Sequence, residues 1–381
     1  MAEMITSKGY PYENYEIVTE DGFFLQLHRI PFGKNLKNTV EVKASVYLQH
    51  GLLSTSCDFL MNLENQSLGY ILADNGLDVW IGDIRGNIYS RKHKTYTTND
   101  NKFWDWSFDE IAKYDIPAII NFIIKKANRD YVYYVGHSQG TTVAFSILSQ
   151  NPKMASKVRI LFALAPVAYL KHITSPIRYL APLTLSRDLI TVMLEYLIIQ
   201  GDKEFIPSNS IIKWLAKFVC PNKIVINMCA NLLYLIGGTD TKNFNQSRIP
   251  VYYGHYPAGT SVRNMVHFGQ AVLNDDFSMY SLGFLGNLKK YGRIVPPSHD
   301  IRQMTTPTMI FWGQKDWLTN PKDVDKLISK ISNLMGNHKF ENSNHYDFVY
   351  GINAANDYYS IIVKTILDTE ANKNYFNNSS I

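Results

Sequence analysis

A serine between two glycines is the residue with the clearest potential for chemistry. Ser138 lies in the run YVYYVGHSQG, residues 131–140, where β-branched and aromatic residues end in a tight turn and a helical segment follows. This is the context of a nucleophile elbow, in which the serine backbone is strained and the second neighbours on each side must be small. Gly136 and Gly140 meet that requirement. The alternative is an ordinary turn whose serine caps the helix.

A serine hydroxyl needs a base and an acid before it becomes a nucleophile, and the last third of the chain contains both. His345 lies in a polar loop before a helix and can take the hydroxyl proton. Asp316 follows an apolar strand and can hold the other ring nitrogen of that histidine. Helix capping by Asp316 is the alternative, with Asp323, Asp325 and Asp347 as rival acids.

Two backbone N–H groups are the expected donors to the oxyanion that forms when a serine attacks an ester. Gln139 follows Ser138 at the start of the helix, and Leu52 follows the glycine of the turn His-Gly-Leu-Leu. A glycine followed by two apolar residues suits a donor that faces an apolar pocket. A simple strand-end turn is the alternative at Leu52.

The hydrophobic pattern predicts a scaffold that brings these distant residues together. Apolar strands alternate with helical segments, with the strands at residues 44–49, 77–82, 131–136, 160–165 and 307–312. This alternation predicts an α/β fold with a mostly parallel sheet of about eight strands and helices on both faces. Reactive groups in such sheets gather at the carboxyl ends of the strands. Leu52, Ser138, Asp316 and His345 all follow predicted strands.

Between residues 169 and 299 the alternation stops. The segment is rich in Leu, Ile, Tyr and Trp at helical spacing and is interrupted by prolines. We interpret it as a helical insertion that lies over the sheet edge, between core segments 1–168 and 300–381. A second independent helical domain is less favoured because strands resume after it.

Composition excludes several classes of protein. The 381 residues are 46% hydrophobic, which suffices for a large core, and 38 basic against 33 acidic residues leave a charge of +5. No run of Lys or Arg is long enough to follow a nucleic-acid backbone. No apolar stretch reaches the roughly 18 residues of a transmembrane segment. The N-terminus does not read as a signal peptide, so we expect a cytosolic protein or one whose signal was removed or lies upstream.

Cysteines and sequons favour the secretory route. Cys220 and Cys229 lie close together and Cys57 lies far from both, without the C-x-x-C spacing typical of zinc. The pattern is compatible with one disulfide and one free thiol, or with three reduced cysteines in the cytosol. Glycosylation sequons occur at Asn65 and Asn245, among others.

Long motifs run through nearly the whole chain. They are GYPYENYEIVTEDGF, YLQHGLLSTS, LADNGLDVWIGDIRGNIYSRKH, FWDWSFDEIAKYDIPAIINFI, YVGHSQGTT, ALAPVA, NFNQSRIPVYYGHYPAGTSVRNMVHFGQAV, WGQKDWL and NHYDF. The sequence resembles the acid lipase family, which includes gastric lipase and lysosomal acid lipase. The triad order Ser, Asp, His is also that of α/β-hydrolases.

The resemblance implies an α/β-hydrolase fold with a helical cap at 169–299, a movable lid at about 206–237, and no cofactor or metal. It implies hydrolysis of triacylglycerols or sterol esters at a lipid–water interface. Its triad would be Ser138, Asp316 and His345, with Leu52 and Gln139 as oxyanion donors. An esterase for smaller esters and a non-catalytic lipid-binding relative are the alternative functions.

Further features follow from the same resemblance. The Cys220 and Cys229 pair matches the disulfide spacing of the family lid region, and Asn245 matches a family glycosylation position. These features imply the secretory pathway, with a secreted or lysosomal protein, while the oligomeric state stays open.

Three positions depart from the family pattern. Asp83 stands where relatives commonly have Asn, and Tyr346 where Leu is frequent. Family members usually carry a cysteine at Gly237 or its neighbour. The lid is the least similar part of the chain, so substrate choice is the inference that transfers least.

Overall fold

A computed structural model describes residues 1–36, 44–185, 203–206, 226–239 and 242–378. The strands in these ranges are β1 (Glu13–Val18), β2 (Phe23–Ile30), β3 (Ser45–Gln49), β4 (Asp78–Gly82), β5 (Lys92–His93), β6 (Val132–His137), β7 (Val158–Leu164), β8 (Glu204–Phe205), β9 (Thr260–Ser261), β10 (Thr308–Gly313) and β11 (Leu334–Phe340).

Nine of these strands form one central sheet. Eight follow the order β1-β2-β4-β3-β6-β7-β10-β11, and the short β5 pairs with β2. β1, β2 and β4 pair antiparallel at one end, and the remaining neighbours from β4 to β11 pair parallel. The predicted mostly parallel sheet of about eight strands is confirmed. β8 and β9 form a separate two-stranded ribbon.

Helices surround the sheet. They are α1 (Ala2–Thr6), α2 (Leu68–Asp74), α3 (Phe108–Glu110), α4 (Ile116–Ala127), α5 (Gln139–Gln150), α6 (Pro152–Ala155), α7 (Ile226–Gly237), α8 (Ile249–His255), α9 (Val262–Leu273), α10 (Gly283–Tyr291), α11 (Pro321–Ile328), α12 (Asp347–Tyr350) and α13 (Ser360–Asn378). A π-helical turn, Ile111–Asp115, joins α3 to α4, and another, Ala355–Tyr359, precedes α13. Short 3₁₀ stretches occur at Ser56–Phe59, Glu64–Gln66, Asn101–Trp104, Pro176–Leu185, Gln246–Arg248 and Ile301–Gln303.

The core lies on both faces of the sheet, because successive side chains of a strand point to opposite faces. In β4, Val79 and Ile81 join one buried cluster together with side chains of α2 and α13. Trp80, between them, joins the other cluster with side chains of α4 and α5. All five residues of β4 are buried, which explains the apolar run that follows Asp78.

The range 169–299 is mainly helical where it is described. It contains α7 to α10 and the 3₁₀ stretch Pro176–Leu185, and also the ribbon of β8 and β9, which the sequence pattern does not predict. Of the predicted lid, residues 207–225 lie outside the described residues. The division into core, cap and lid therefore stays a prediction. None of the helices in the described ranges has the length and hydropathy that a membrane span requires.

Candidate active site

Ser138 lies on a strained turn between β6, which ends at His137, and α5, which begins at Gln139. Its backbone angles are φ 54° and ψ −119°, a conformation that residues with a side chain rarely adopt. A Cβ atom on Gly136 would lie 2.8 Å from the carbonyl group of Gly140, and one on Gly140 would lie 2.3 Å from the carbonyl oxygen of Gln49. The turn can therefore form only with glycine on both sides of the serine.

Ser138, His345 and Asp316 form one hydrogen-bonded chain. The Ser138 hydroxyl donates to His345 Nε2 at 2.8 Å, and His345 Nδ1–H donates to Asp316 Oδ2 at 2.8 Å. All three side chains are buried. In this arrangement the imidazole can accept the hydroxyl proton, and the carboxylate can stabilise the imidazolium that results.

Asp316 is held by the loop that contains it. Its Oδ1 accepts from the backbone N–H groups of Leu318 and Thr319, both at 2.8 Å, which leaves Oδ2 for His345. The last residue of α7 holds this loop next to the loop that contains His345. The Gly237 carbonyl accepts from His345 N at 3.1 Å and from Trp317 N at 3.2 Å.

The rival acids have other surroundings. Asp323 accepts from the backbone N and Nδ1 of His172, both at 2.8 Å. Asp347 accepts from the backbone N of Asn344 at 2.8 Å, and Asp325 is exposed. Asp316 is therefore the carboxylate hydrogen-bonded to His345.

Two other histidines near the site, His137 and His50, form hydrogen bonds with backbone carbonyl groups. His137 Nε2–H donates to the His345 carbonyl at 3.0 Å. Burial, followed by the nearby His345, lowers the pKa of His137 to about 3, so its imidazole stays neutral. His50 Nδ1–H donates to the Gly51 carbonyl at 2.8 Å, and burial lowers its pKa as well.

The turn that contains Leu52 lies directly against the serine. A Cβ atom on Gly51 would be 3.1 Å from Ser138 Cβ, so any larger residue would displace the turn. The Gln139 N–H belongs to the first turn of α5, where backbone donors have no acceptor inside the helix. Gly51 and Gln139 therefore both adjoin Ser138, and the oxyanion role of the Leu52 and Gln139 N–H groups stays a prediction.

The carboxylate of Asp83 holds the segment that follows this turn. It accepts from Ser56 N at 2.9 Å, Ser56 Oγ at 2.6 Å and Asn87 Nδ2 at 2.8 Å, and His28 Nε2–H donates to it at 3.1 Å. Burial alone would raise the pKa of Asp83, but His28, His50 and Ser56 together outweigh burial and lower it. Sequence reasoning identified Asp83 only as a departure and missed His28 and Ser56, which lie far from it in the chain.

Ser138 and His345 open into a cavity of about 280 Å³. Its walls are mainly apolar and include the Leu52 turn, the 3₁₀ stretch Pro176–Leu185 and helix α9, with further side chains from β8, α7 and the loops around the triad. Such a cavity can accept a long hydrocarbon chain beside the serine hydroxyl.

A polar group interrupts the apolar lining. The Tyr350 hydroxyl donates to Asp58 Oδ1 at 2.6 Å, and both residues line the cavity. Burial raises the pKa of Asp58 to about 6, with the hydrogen bonds opposing it. Sequence reasoning missed this pair, because no local motif links residues 292 positions apart.

The cysteine predictions are only partly within the described residues. Cys57 is a buried free thiol whose pKa burial raises to about 11. Cys229 is disulfide-bonded. Cys220 lies outside the described residues, so its pairing with Cys229 stays a prediction.

The two sequons and the question of metals complete the predicted sites. Asn65 is exposed, and Asn245 is half-buried with its Oδ1 accepting from Ser247 Oγ at 2.6 Å. Their glycosylation stays a prediction. In the ranges that the structure describes, no group of three or more His, Cys, Asp or Glu side chains could hold a metal ion.

The sheet, the strained serine turn and the Ser–His–Asp contacts together define an α/β-hydrolase. Residues 44–189 match the family model described as alpha/beta hydrolase fold, and residues 1–63 match the partial alpha/beta-hydrolase lipase region. A soluble variant of monoglyceride lipase from Saccharomyces cerevisiae shares the fold, with a TM-score of 0.55 at 15% identity and 95% of each chain covered.

Proteins with similar sequences identify the family to which the chain belongs. The chain is 43% identical over 366 residues to lysosomal acid lipase/cholesteryl ester hydrolase of Homo sapiens, covering 95% of this chain and 89% of that protein. It is 42% identical over 367 residues to gastric triacylglycerol lipase of Homo sapiens, covering 96% and 90%. The chain belongs to the acid lipase family, and the resemblance read from its motifs is confirmed.

Proposed function

We propose that this chain is a lipase that hydrolyses the ester bonds of neutral lipids, triacylglycerols or cholesteryl esters. The observation that carries the proposal is the hydrogen-bonded chain Ser138–His345–Asp316 at the wall of an apolar cavity. The names of the relatives, a cholesteryl ester hydrolase and a triacylglycerol lipase, support the two substrate classes.

Acylation begins when Ser138 Oγ attacks the ester carbonyl while His345 Nε2 takes its proton. Asp316 stabilises the imidazolium through Nδ1–H. The backbone N–H groups of Leu52 and Gln139 stabilise the oxyanion of the tetrahedral intermediate. Collapse of this intermediate transfers the proton from His345 to the leaving alcohol and leaves an acyl-enzyme.

Deacylation repeats the same steps with water as the nucleophile. His345 takes a proton from the water, and the hydroxide adds to the acyl carbonyl. The second intermediate then releases the fatty acid, and Ser138 regains its proton from His345. No metal or cofactor enters either half of the reaction.

Substrate size distinguishes this proposal from an esterase for small esters. An apolar cavity of about 280 Å³ supports a long acyl chain, because each buried methylene contributes about 0.8 kcal/mol. Hydrolysis of triolein and of cholesteryl oleate, each measured from acidic to neutral pH, separates the two lipid classes. Faster turnover of dissolved short-chain esters than of either lipid would favour the esterase.

The serine assignment is tested by Ser138→Ala, with Ser149→Ala on the same helix as the matched control. Ser149 Oγ donates only to the Ser146 carbonyl among its described hydrogen bonds. We expect Ser138→Ala to abolish triolein hydrolysis and labelling by an organophosphate, while Ser149→Ala keeps both. Retained hydrolysis in Ser138→Ala, with unchanged circular dichroism, would contradict the mechanism. If the organophosphate did not label Ser138 in the wild type, a non-catalytic lipid-binding protein would be the better interpretation.

We also propose a secretory route, a cap at residues 169–299 with a lid at about 206–237, a Cys220–Cys229 disulfide and glycans at Asn65 and Asn245. The words lysosomal and gastric in the names of the relatives support this route. Reduction-sensitive migration and a mass shift after glycosidase treatment are the expected results. Preference for emulsified over dissolved substrate is the expected result for a lid.

A further inference from the structure

A segment between α9 and β10 presents an unusual apolar surface. We call residues 277–299 the arm. Six large apolar side chains in it are 40% to 75% exposed: Leu282, Phe284, Leu285, Leu288, Ile294 and Val295. Two of them lie together in the first turn of α10, Phe284 at 61% and Leu285 at 75% exposure. Exposed apolar patches of this kind mark sites of interaction.

The arm is a folded unit. Its two ends are joined by backbone hydrogen bonds from His299 N to the Phe277 carbonyl at 2.7 Å and from Met279 N to the Pro297 carbonyl at 2.8 Å. Inside it, the Asn287 side chain accepts from Leu282 N at 2.8 Å and donates to the Ile294 carbonyl at 3.0 Å. These bonds hold the apolar side chains on the outside.

The charge of the arm has one sign. Lys289, Lys290 and Arg293 are exposed, and no Asp or Glu occurs from residue 277 to residue 299. Asp109 contacts the inner side of the arm, where it accepts from Tyr280 N at 2.8 Å and lies 3.4 Å from His299 Nε2. Asp276 and Asp300, the acidic residues next to the arm in sequence, flank its base. There Asp276 accepts a hydrogen bond from Ser298, and Asp300 pairs with Arg302.

The arm packs on the helix that lines the cavity. His267 Nε2–H donates to the Ser278 carbonyl at 3.0 Å, and the Gln270 side chain exchanges two hydrogen bonds with the backbone of Ser281. Met265 and Phe268, on another face of α9, line the cavity. One helix, about 10 Å across, therefore separates the arm from the cavity.

We propose that the arm binds the surface of an anionic phospholipid layer. Its apolar side chains would enter the boundary between headgroups and acyl chains, while the three cations would contact lipid phosphates. A second copy of the chain fits less well, because a symmetric contact would bring three cations against three cations. The proposal goes beyond the proposed function, since surface binding is measured without hydrolysis.

The test is co-sedimentation of the full chain with vesicles of phosphatidylcholine, with and without phosphatidylglycerol. Phe284→Ser combined with Leu285→Ser should lower binding to the anionic vesicles at least about tenfold. Lys289→Gln combined with Lys290→Gln should lower it by about twenty-five-fold, since each cation near an anionic surface contributes about fivefold. The charge variant should leave binding to pure phosphatidylcholine unchanged.

The matched control is Leu63→Ser combined with Met335→Ser, two side chains 48% and 50% exposed outside the arm. We expect it to bind like the wild type. Wild-type binding by the Phe284/Leu285 variant, or equal loss in the control, would overturn the proposal. A dimer in gel filtration that disappears in the Phe284/Leu285 variant would also overturn it, in favour of a second copy.

A dissolved short-chain ester provides a separate readout. All these variants should hydrolyse it at the wild-type rate, because the arm lies outside the Ser138 site. Loss of vesicle binding with retained ester hydrolysis supports the arm. A wild-type chain that binds vesicles without hydrolysing any ester would contradict the proposed function alone.

Discussion

The ring of Tyr346 occupies the space beside Gly237 in which any other residue would place its Cβ atom. That atom would lie 2.5 Å from two ring carbons of the tyrosine. The family resemblance gives a cysteine at or beside Gly237 and often a leucine at Tyr346. The absence of a side chain at residue 237 leaves room for the ring at residue 346, so side-chain volume couples the two positions.

We expect Gly237→Ala to destabilise the protein by about 1–3 kcal/mol, since the buried ring cannot move aside freely. In the Tyr346→Leu background the same substitution should cost clearly less. Urea unfolding of the four variants of this double-mutant cycle measures the difference. Gly254→Ala in α8 is the control, because a Cβ atom there meets nothing within 4 Å. Equal costs in both backgrounds would show that the ring is not the obstacle.

Asp316→Asn should lower kcat for ester hydrolysis on the order of 10³-fold to 10⁴-fold while KM changes little. The amide can neither fix the His345 tautomer nor stabilise the imidazolium. Steady-state kinetics on a dissolved ester measure the effect. Asp323→Asn, which replaces the acid bonded to His172, should leave kcat within a fewfold of the wild type. The opposite ranking of these variants would transfer the role of the acid to Asp323.

Asp58→Asn should stabilise the protein at neutral pH. The folded-state pKa of Asp58, about 6, lies above its ordinary value of 3.8. The native state therefore binds more protons than the unfolded state between these values, and stability falls as pH rises through that window. Asparagine removes this loss, which amounts to about 3 kcal/mol by pH 7, and can still accept from Tyr350.

Urea unfolding at pH 4 and at pH 7.5 measures this prediction. The gain from Asp58→Asn should be present at pH 7.5 and nearly absent at pH 4. The exposed Asp325→Asn is the control and should change stability by less than about 0.5 kcal/mol at either pH. Destabilisation of Asp58→Asn at pH 7.5 would mean that the cavity requires the carboxylate.

Asp83→Asn should act in the opposite direction. The folded-state pKa of Asp83 is lowered, so its stabilisation is present above the ordinary value of 3.8 and is lost as pH falls below it. The asparagine amide would place its N–H groups against the donors of Ser56 or His28. This should lower the free energy of unfolding at neutral pH by about 3 kcal/mol. Unfolding at neutral pH should show this loss, and the difference between the two proteins should shrink as pH falls below 3.8. An unchanged neutral stability would contradict the role of Asp83.

The sequence by itself determined the local parts of the site. Gly136 and Gly140 around a serine predict the strained turn, because only glycine fits where other backbone passes so closely, that of the turn itself at Gly136 and that of β3 at Gly140. Continuous apolar strands predict a sheet covered on both faces, and strand-end positions select Asp316 and His345. These features depend on backbone sterics and hydrophobic periodicity, which act over a few residues.

Only the tertiary structure decided which distant residues meet. His345 reaches Ser138 across 207 positions of the chain, and Tyr350 reaches Asp58 across 292. The placing of β4 between β2 and β3 and the contact of Tyr346 with Gly237 are likewise results of packing. The pKa of a buried carboxyl depends on the whole set of groups around it. Local periodicity carries no information on such pairs, because they form only when the chain is folded.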